Sequence, residues 1–403
     1  MRNKTTYFFL FFLLLIYVNN NKVFSQTSWR FAVVGDTHVG SSDTIAEMIP
    51  SMLSDNLDFV VVVGDLVEGG LGTTGIQLRD ELEQWKTIFS PIYNAGIPVY
   101  GIRGNHEDDA NNDITVWNNA FSGNYSFPQN GPNGETNLTY SFTHKNAKLI
   151  MLDVYKNIHK VNQTWLNQEL NSNASNHLFV FGHEAAFKVF HADCLDDSVS
   201  ARNTFWNSLK TAGVKVYFCG HDHFLDAALV DDGDGNTQND IYQYLVGTGG
   251  GWLMSQYSNY NGDNGPFSPN RVFHEMEYGY SIVEIYGDSP SDCDVEIRWK
   301  IRTLNPIDLT NQYVLSSNVI KYTNCNVSKS PKIDNTKIRI FPNPVENKLI
   351  FEGLNAETIS ISNVFGKKTE FILNENKTID VSNFQNGYYL VHTDHGIFRF
   401  VKH

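Results

Sequence analysis

Five short apolar runs in this chain each give way to a glycine, and directly behind each glycine stands Asp, Asn or His. The run Phe31 to Val34 passes into Gly35-Asp36-Thr37-His38, and Phe59 to Val63 passes into Gly64-Asp65. Ile97 to Ile102 leads to Gly104-Asn105-His106-Glu107, His177 to Phe181 leads to Gly182-His183, and Val214 to Phe218 leads to Gly220-His221-Asp222-His223. Unbroken runs of β-branched and aromatic residues read as strands of a sheet buried on both faces. Between them, helical spacing of apolar residues runs over Ile45 to Leu53, Leu78 to Tyr93, Gln163 to Leu170 and Asn203 to Leu209. Strands alternating with helices predict an α/β fold, a layered sheet with helices outside. Ligand sites in such folds lie beyond the carboxyl ends of the strands, where these polar residues collect.

The set is Asp36, His38, Asp65, Asn105, His183, His221 and His223. Each alone has an ordinary reading as a cap, a turn residue or a satisfied imidazole. Seven at successive strand ends, each set off by glycine, point to metal. If Asp222 continues the extended backbone, His221 and His223 project to the same side and can serve two ions. Oxygen and nitrogen donors without thiolate suit Mn, Fe or Zn. Seven donors exceed one tetrahedral site, so two divalent or trivalent ions sharing a carboxylate is the economical arrangement. Ions about 3.5–4 Å apart can bind both sides of an in-line displacement at phosphorus. The net charge of -14 argues against a duplex nucleic-acid partner but admits small anionic substrates when cations line the site.

Other stretches set the organisation. Arg2 and Lys4 precede the apolar run Tyr7 to Val18, and Val23-Phe24-Ser25 precedes Gln26, which together read as a signal peptide over 1–25. A retained anchor is the alternative, but the run is shorter than the roughly 20 residues a spanning helix needs. No transmembrane segment is expected in the mature protein. A catalytic domain is expected over 27–305, a Ser-, Asn- and Lys-rich linker over 306–335, and a small all-β sandwich of short alternating strands over 336–403. Residues 108–135 read as an irregular excursion. Of four cysteines, Cys219 reads as a small buried hydrophobe, and Cys293 with Cys325 as a disulfide, although four cysteines allow three pairings. Asp231 to Asn236 reads as a hairpin tip between two apolar strands; calcium is the alternative, without the closing Glu of an EF-hand. His144, His177 and His191 read as surface or structural.

The blocks GDTH, GDLVEG, GNHE, GH and GHDH, in this order, resemble the calcineurin-like metallophosphoesterase family from Phe31 to about Glu284. The resemblance implies a layered metallophosphoesterase β-sandwich flanked by helices. It places Asp36, His38 and His223 on one metal, Asn105, His183 and His221 on a second, and Asp65 between them. His106 takes the position of the family's catalytic histidine. The implied activity is a secreted phosphomonoesterase that uses a hydroxide held by both ions on a small phosphate ester. A phosphodiesterase acting on cyclic or other nucleotides or on lipid head groups is the alternative. The rival from another class is a non-catalytic metal-binding surface protein, against which His106 argues. Purple acid phosphatases are similar at Gly247 to Gly251 and Tyr278-Gly279-Tyr280, but carry a metal-binding Tyr where this chain has Glu68. His38 would replace that tyrosinate, removing the purple colour. Arg103, Glu107, Glu184 and the aromatic residues of 108–135 are candidate pocket residues.

The tail resembles the C-terminal sorting domain of the type IX secretion system of Bacteroidetes. Phe341-Pro342-Asn343-Pro344, Asn363-Val364-Phe365-Gly366-Lys367 and Asn386-Gly387-Tyr388-Tyr389-Leu390 carry that resemblance. It implies the type IX machinery as partner, export through periplasm and outer membrane, and release or surface attachment with removal of the tail. A generic β-sandwich binding module is the alternative.

Overall fold

Every residue of Phe59–Val63 is buried, as an all-apolar strand covered by a helix layer on one face and a second sheet on the other must be. The computed structural model describes residues 28–255, 259–287, 294–324, 339–352, 358–363, 368–373, 377–393 and 396–403. The expected signal peptide and the expected Cys293–Cys325 pair lie outside these residues.

In chain order the first elements are Ser28–Val34 (β1), Thr44–Ser54 (α1), Phe59–Val63 (β2), Gly75–Asn94 (α2), Val99–Ile102 (β3), Asn105–Asp108 (α3) and Asp113–Ala120 (α4). Then come Tyr140–His144 (β4), Ala147–Met151 (β5), Gln163–Asn171 (α5), His177–Phe181 (β6), Val199–Ala212 (α6), Val216–Cys219 (β7), Leu225–Asp231 (β8) and Ile241–Val246 (β9). Ser268–Glu275 (β10), Gly279–Tyr286 (β11), Asp294–Leu304 (β12) and Asn311–Thr323 (β13) complete this part.

Two sheets form, in the orders β13-β12-β11-β1-β2-β3 and β10-β8-β9-β7-β6-β5-β4. The centres are parallel, with β1, β2 and β3 in one sheet and β5, β6, β7 and β9 in the other, so their carboxyl ends share an edge. The sheets pack face to face through aromatic rings: Phe31 of β1 lies edge-on 5.2 Å from Phe179 and 6.3 Å from Phe181, both of β6. Alternation sends Leu178, Val180, Tyr217 and Leu245 to the outer face of the second sheet, against Leu166, Phe205, Trp206 and Leu209 of α5 and α6. On the first sheet, Met48 and Met52 of α1 with Leu82, Trp85 and Phe89 of α2 provide the covering layer.

Two expectations change. Residues 311–323, expected as linker, form β13 and pair antiparallel with β12. Only Tyr313 and Ile320 of this edge strand are buried, so its polar composition resembles a linker. Residues 108–135 contain a helix, α4, and Trp117, Phe121 and Phe127 are core residues rather than pocket aromatics. Phe121 stacks on Phe127 at 4.7 Å, and Phe127 on Tyr140 at 5.1 Å.

The tail is all-β, with a three-stranded sheet from Arg339–Phe341, Lys348–Glu352 and Thr378–Asp380. A four-stranded antiparallel sheet comes from Lys368–Ile372, Thr358–Asn363, Gly387–Thr393 and Gly396–Lys402. Leu349, Phe351, Ile361, Val391 and Phe400 form its own core. Among the described residues, no helix is long and apolar enough to cross a membrane.

Candidate metal centre

The chain turns sharply as it leaves β1, β2 and β7. Asp36 (φ 59), His38 (φ 43), Asp65 (φ 48) and His221 (φ 72) all hold left-handed backbone, which non-glycine residues avoid and which concentrates at functional sites. The spacer in Gly220-His221-Asp222-His223 therefore does not continue the strand. β7 ends at Cys219, and the two imidazoles enter different groups instead of lying side by side. The glycines ahead of these residues make room. A Cβ on Gly104 would overlap the Asp65 carboxylate, and one on Gly220 would overlap that of Asp36.

All seven candidate residues converge on one spot. Asp36, His38, Asp65 and His223 bring one donor atom each within 4.8 Å of one another, as do Asp65, His183 and His221. Asp65 belongs to both groups. Its Oδ2 lies 3.2 Å from His183 Nε2 and 3.7 Å from His38 Nε2. His223 Nε2 is 3.5 Å from Asp36 Oδ1. Asn105 Oδ1 stands between the rings of the second group, 2.9 Å from His221 Nδ1 and 3.2 Å from His183 Nε2.

The outward nitrogens are tied to acceptors. His183 Nδ1 donates to the Val63 carbonyl at 2.7 Å, His223 Nδ1 to the Trp252 carbonyl at 3.0 Å, and His38 Nδ1 faces Glu68 Oε2 at 3.0 Å. Carbonyls and carboxylates only accept, so these contacts keep a proton on Nδ1 and turn Nε2 inward, the atom that would hold a metal. Burial pushes His38 down, and burial with His38 alongside pushes His223 down to about 4, so both rings are neutral near pH 7. Their Nε2 atoms then oppose two lone pairs 3.1 Å apart, an arrangement that a cation between them resolves. The donor set fits metal ions on this ground.

The carboxylates show the same demand for positive charge. Burial raises Asp36 well above the carboxylate range, with Asp65 adding to the rise. Burial would also raise Asp65, but His183 outweighs it and holds Asp65 well below that range. Burial opposes protonation of His183, yet Asp65 prevails and lifts it to about 10.

His106 lies beside both groups. Its ring centroid is 4.5 Å from that of His38, its Nε2 is 4.0 Å from Asp65 Oδ2, and its Nδ1 meets the Glu68 carbonyl. The ring is partly open to solvent, at 27% of its side-chain surface, whereas His183 is fully enclosed.

Three candidate pocket residues are structural. Arg103 is fully buried, with Nε 2.9 Å from Asp153 and its other end against Asp113 and Asp108. Glu107 is buried and accepts from the Val67 and Gly104 amides at 3.0 and 2.7 Å. Burial and Asp65 push it up to about 7. Glu184 is buried against His159 at 2.7 Å. Conversely, His191 adjoins the site, 4.5 Å ring to ring from His221 and 2.7 Å from Asp222. Asp193 also sits 3.6 Å from His221 Nε2. No spacing signal marks either residue, because both come from the loop after β6. Cys194 and Cys219 are buried free thiols.

Residues 30–225 match the family model of the calcineurin-like phosphoesterases, and residues 339–402 that of the secretion system C-terminal sorting domain. A search of curated proteins returns no match. Among solved structures, a purple acid phosphatase from yellow lupin (Lupinus luteus) seeds is similar over 74% of this chain, with 13% identity and a TM-score of 0.54. This chain spans only 54% of the lupin protein's length. PhoD is similar over 75% of this chain and 70% of its own, with 15% identity and a TM-score of 0.52. Likeness at this identity speaks for the fold alone. The sorting domain implies engagement of the secretion machinery and export to the cell surface or beyond. The chain carries a calcineurin-like phosphoesterase domain and ends in a secretion system C-terminal sorting domain.

Proposed function

We propose that this protein is a secreted, two-metal phosphoesterase acting first on phosphomonoesters. The observation that carries the reading is the pair of donor groups joined through Asp65, with His106 at their edge. Asp36, His38 and His223 would hold one ion, Asn105, His183 and His221 the other, with Asp65 shared. When bound, two such ions supply positive charge to the phosphoryl oxygens and a water acidified enough to attack phosphorus. Glu68, the Val63 carbonyl and the Trp252 carbonyl orient the liganding imidazoles. His106 holds a proton for the leaving oxygen. Burial works against that proton, but Asp65 and the Glu68 carbonyl raise the ring's affinity above its ordinary value.

Export would remove residues 1–25, and the tail would be cleaved or used for surface attachment after outer-membrane passage. The test is turnover of p-nitrophenyl phosphate and bis(p-nitrophenyl) phosphate in parallel, on full-length mature protein reconstituted with Mn, Zn or Fe. Faster monoester hydrolysis supports the proposal. Diester preference moves the assignment to a phosphodiesterase, and no turnover with two ions bound supports a non-catalytic metal-binding protein.

A further inference from the structure

A second cluster of oxygen donors lies at the tip of the β8–β9 hairpin, at the end of β9 away from Asp36. Asp231, Asp232 and Asp240 bring one carboxylate oxygen each within 4.8 Å of one another. Acidic hairpin tips are common and ordinarily face water. Asp240 does not: its residue is only 6% exposed, and its Oδ1 is buried with no hydrogen-bond partner. A buried carboxylate oxygen with no partner forfeits its hydration for nothing in return, so natural proteins rarely keep one. The neighbouring Asn239 Oδ1 is likewise buried without a partner, while its Nδ2 donates to Asp234 at 2.8 Å.

Nearby cations satisfy the cluster only in part. Lys210 pairs with Asp232 and, at 2.9 Å, with Asp234, and the Lys215 ammonium donates to the Gln238 carbonyl while its charge reaches Asp240. Four carboxylates (Asp231, Asp232, Asp234, Asp240) against two ammonium groups leave two negative charges, the charge of one divalent ion. Asp240 is held above the usual carboxylate range by burial and then by Asp231, Asp232 and Asp234.

We propose that this hairpin tip binds one Ca²⁺ through Asp231, Asp232 and Asp240. The donors are all oxygen, which suits a hard cation and not the metals of the histidine site. Calcium–oxygen bonds of about 2.3–2.6 Å put two ligands of one ion at most about 5 Å apart, the spacing seen here. A turn without regular structure provides the adjustable geometry that calcium accepts and magnesium does not. The ion would anchor one end of β9, whose other end is stitched to the metal centre through Gly35 N donating to Val246 O at 2.9 Å. Its role is therefore structural, in a protein exported to where calcium is plentiful.

The test is thermal unfolding of the full-length, metal-reconstituted mature protein in calcium-free buffer and with CaCl₂ or MgCl₂ up to about 10 mM, about tenfold above the Kd of the weakest extracellular sites. Wild-type protein is expected to gain roughly 3 °C with calcium and less with magnesium, reversibly on dialysis. Asp240→Asn is expected to start higher without calcium, because repulsion is relieved, and to lose the calcium response. Asp231→Asn provides the same reading should Asp240→Asn fail to fold. Absence of a wild-type shift, or an equal shift in the variant, overturns the proposal.

Discussion

The Glu68 carboxylate lies 3.0 Å from Nδ1 of His38, and the carbonyl oxygen of the same residue meets Nδ1 of His106. One residue thus orients a proposed metal ligand through its side chain and a proposed proton donor through its backbone. Ser41 Oγ donates to the same carboxylate at 2.6 Å and limits its rotation. Substitution at Glu68 should separate the two functions, since only the first depends on the side chain. Glu68→Ala is expected to weaken the first metal site about 10- to 100-fold, the usual cost of losing a partner behind a ligating histidine. Competition with a chromophoric chelator reads this directly. Unchanged affinity would show that the contact with His38 is incidental.

His106→Ala should keep both ions and lose turnover by about 10²- to 10⁴-fold, the range for a general acid. Metal content by elemental analysis, alongside kcat, checks it. A variant with two ions and full turnover would remove His106 from the mechanism.

Metal binding at neutral pH should expel a proton from His183. Without metal, Asp65 at 3.2 Å holds that ring's affinity for a proton up to about 10, so the proton and the ion compete for Nε2. Affinity is expected to rise with pH until about 10 and level off above it. Titration calorimetry in buffers of different ionisation enthalpy measures the protons released. No release near pH 7 would mean that His183 enters the site already neutral.

Arg103 should matter for stability and hardly for substrate affinity. Its guanidinium and Asp153 are both fully buried, so Arg103→Met leaves a carboxylate without its partner. A loss of about 3–5 kcal/mol in urea unfolding is expected, the cost of breaking one side of a buried pair. An unchanged KM for metal-loaded folded variant, set against this loss, distinguishes scaffold from pocket.

The fold was legible where residues are buried on both sides. Phe59 to Val63 could be nothing but an internal strand, and the alternation of such runs with helical spacing led to layered sheets. Legibility failed at the edge. β13 pairs on one side only and buries just Tyr313 and Ile320, so its sequence carries little period-two signal. It also failed for Arg103 and Glu107, because a charged residue beside a glycine-rich strand end looks the same whether it faces a pocket or neutralises a buried neighbour.

Sequence alone determined the chemistry on offer: which side chains stand at the ends of which strands, in what order, without thiolates, and with one histidine beyond the seven donors. These are properties of each residue and its immediate neighbours. Tertiary structure alone decided how close those donors come to one another and which groups hold them there. His38 meets Glu68 across 30 residues and His223 across 185, while His221 turns away from His223 through a left-handed backbone at its own position. Distances of 3 to 4 Å between side chains this far apart in the chain depend on sheet register and on the turns leaving each strand, which no single stretch of residues encodes.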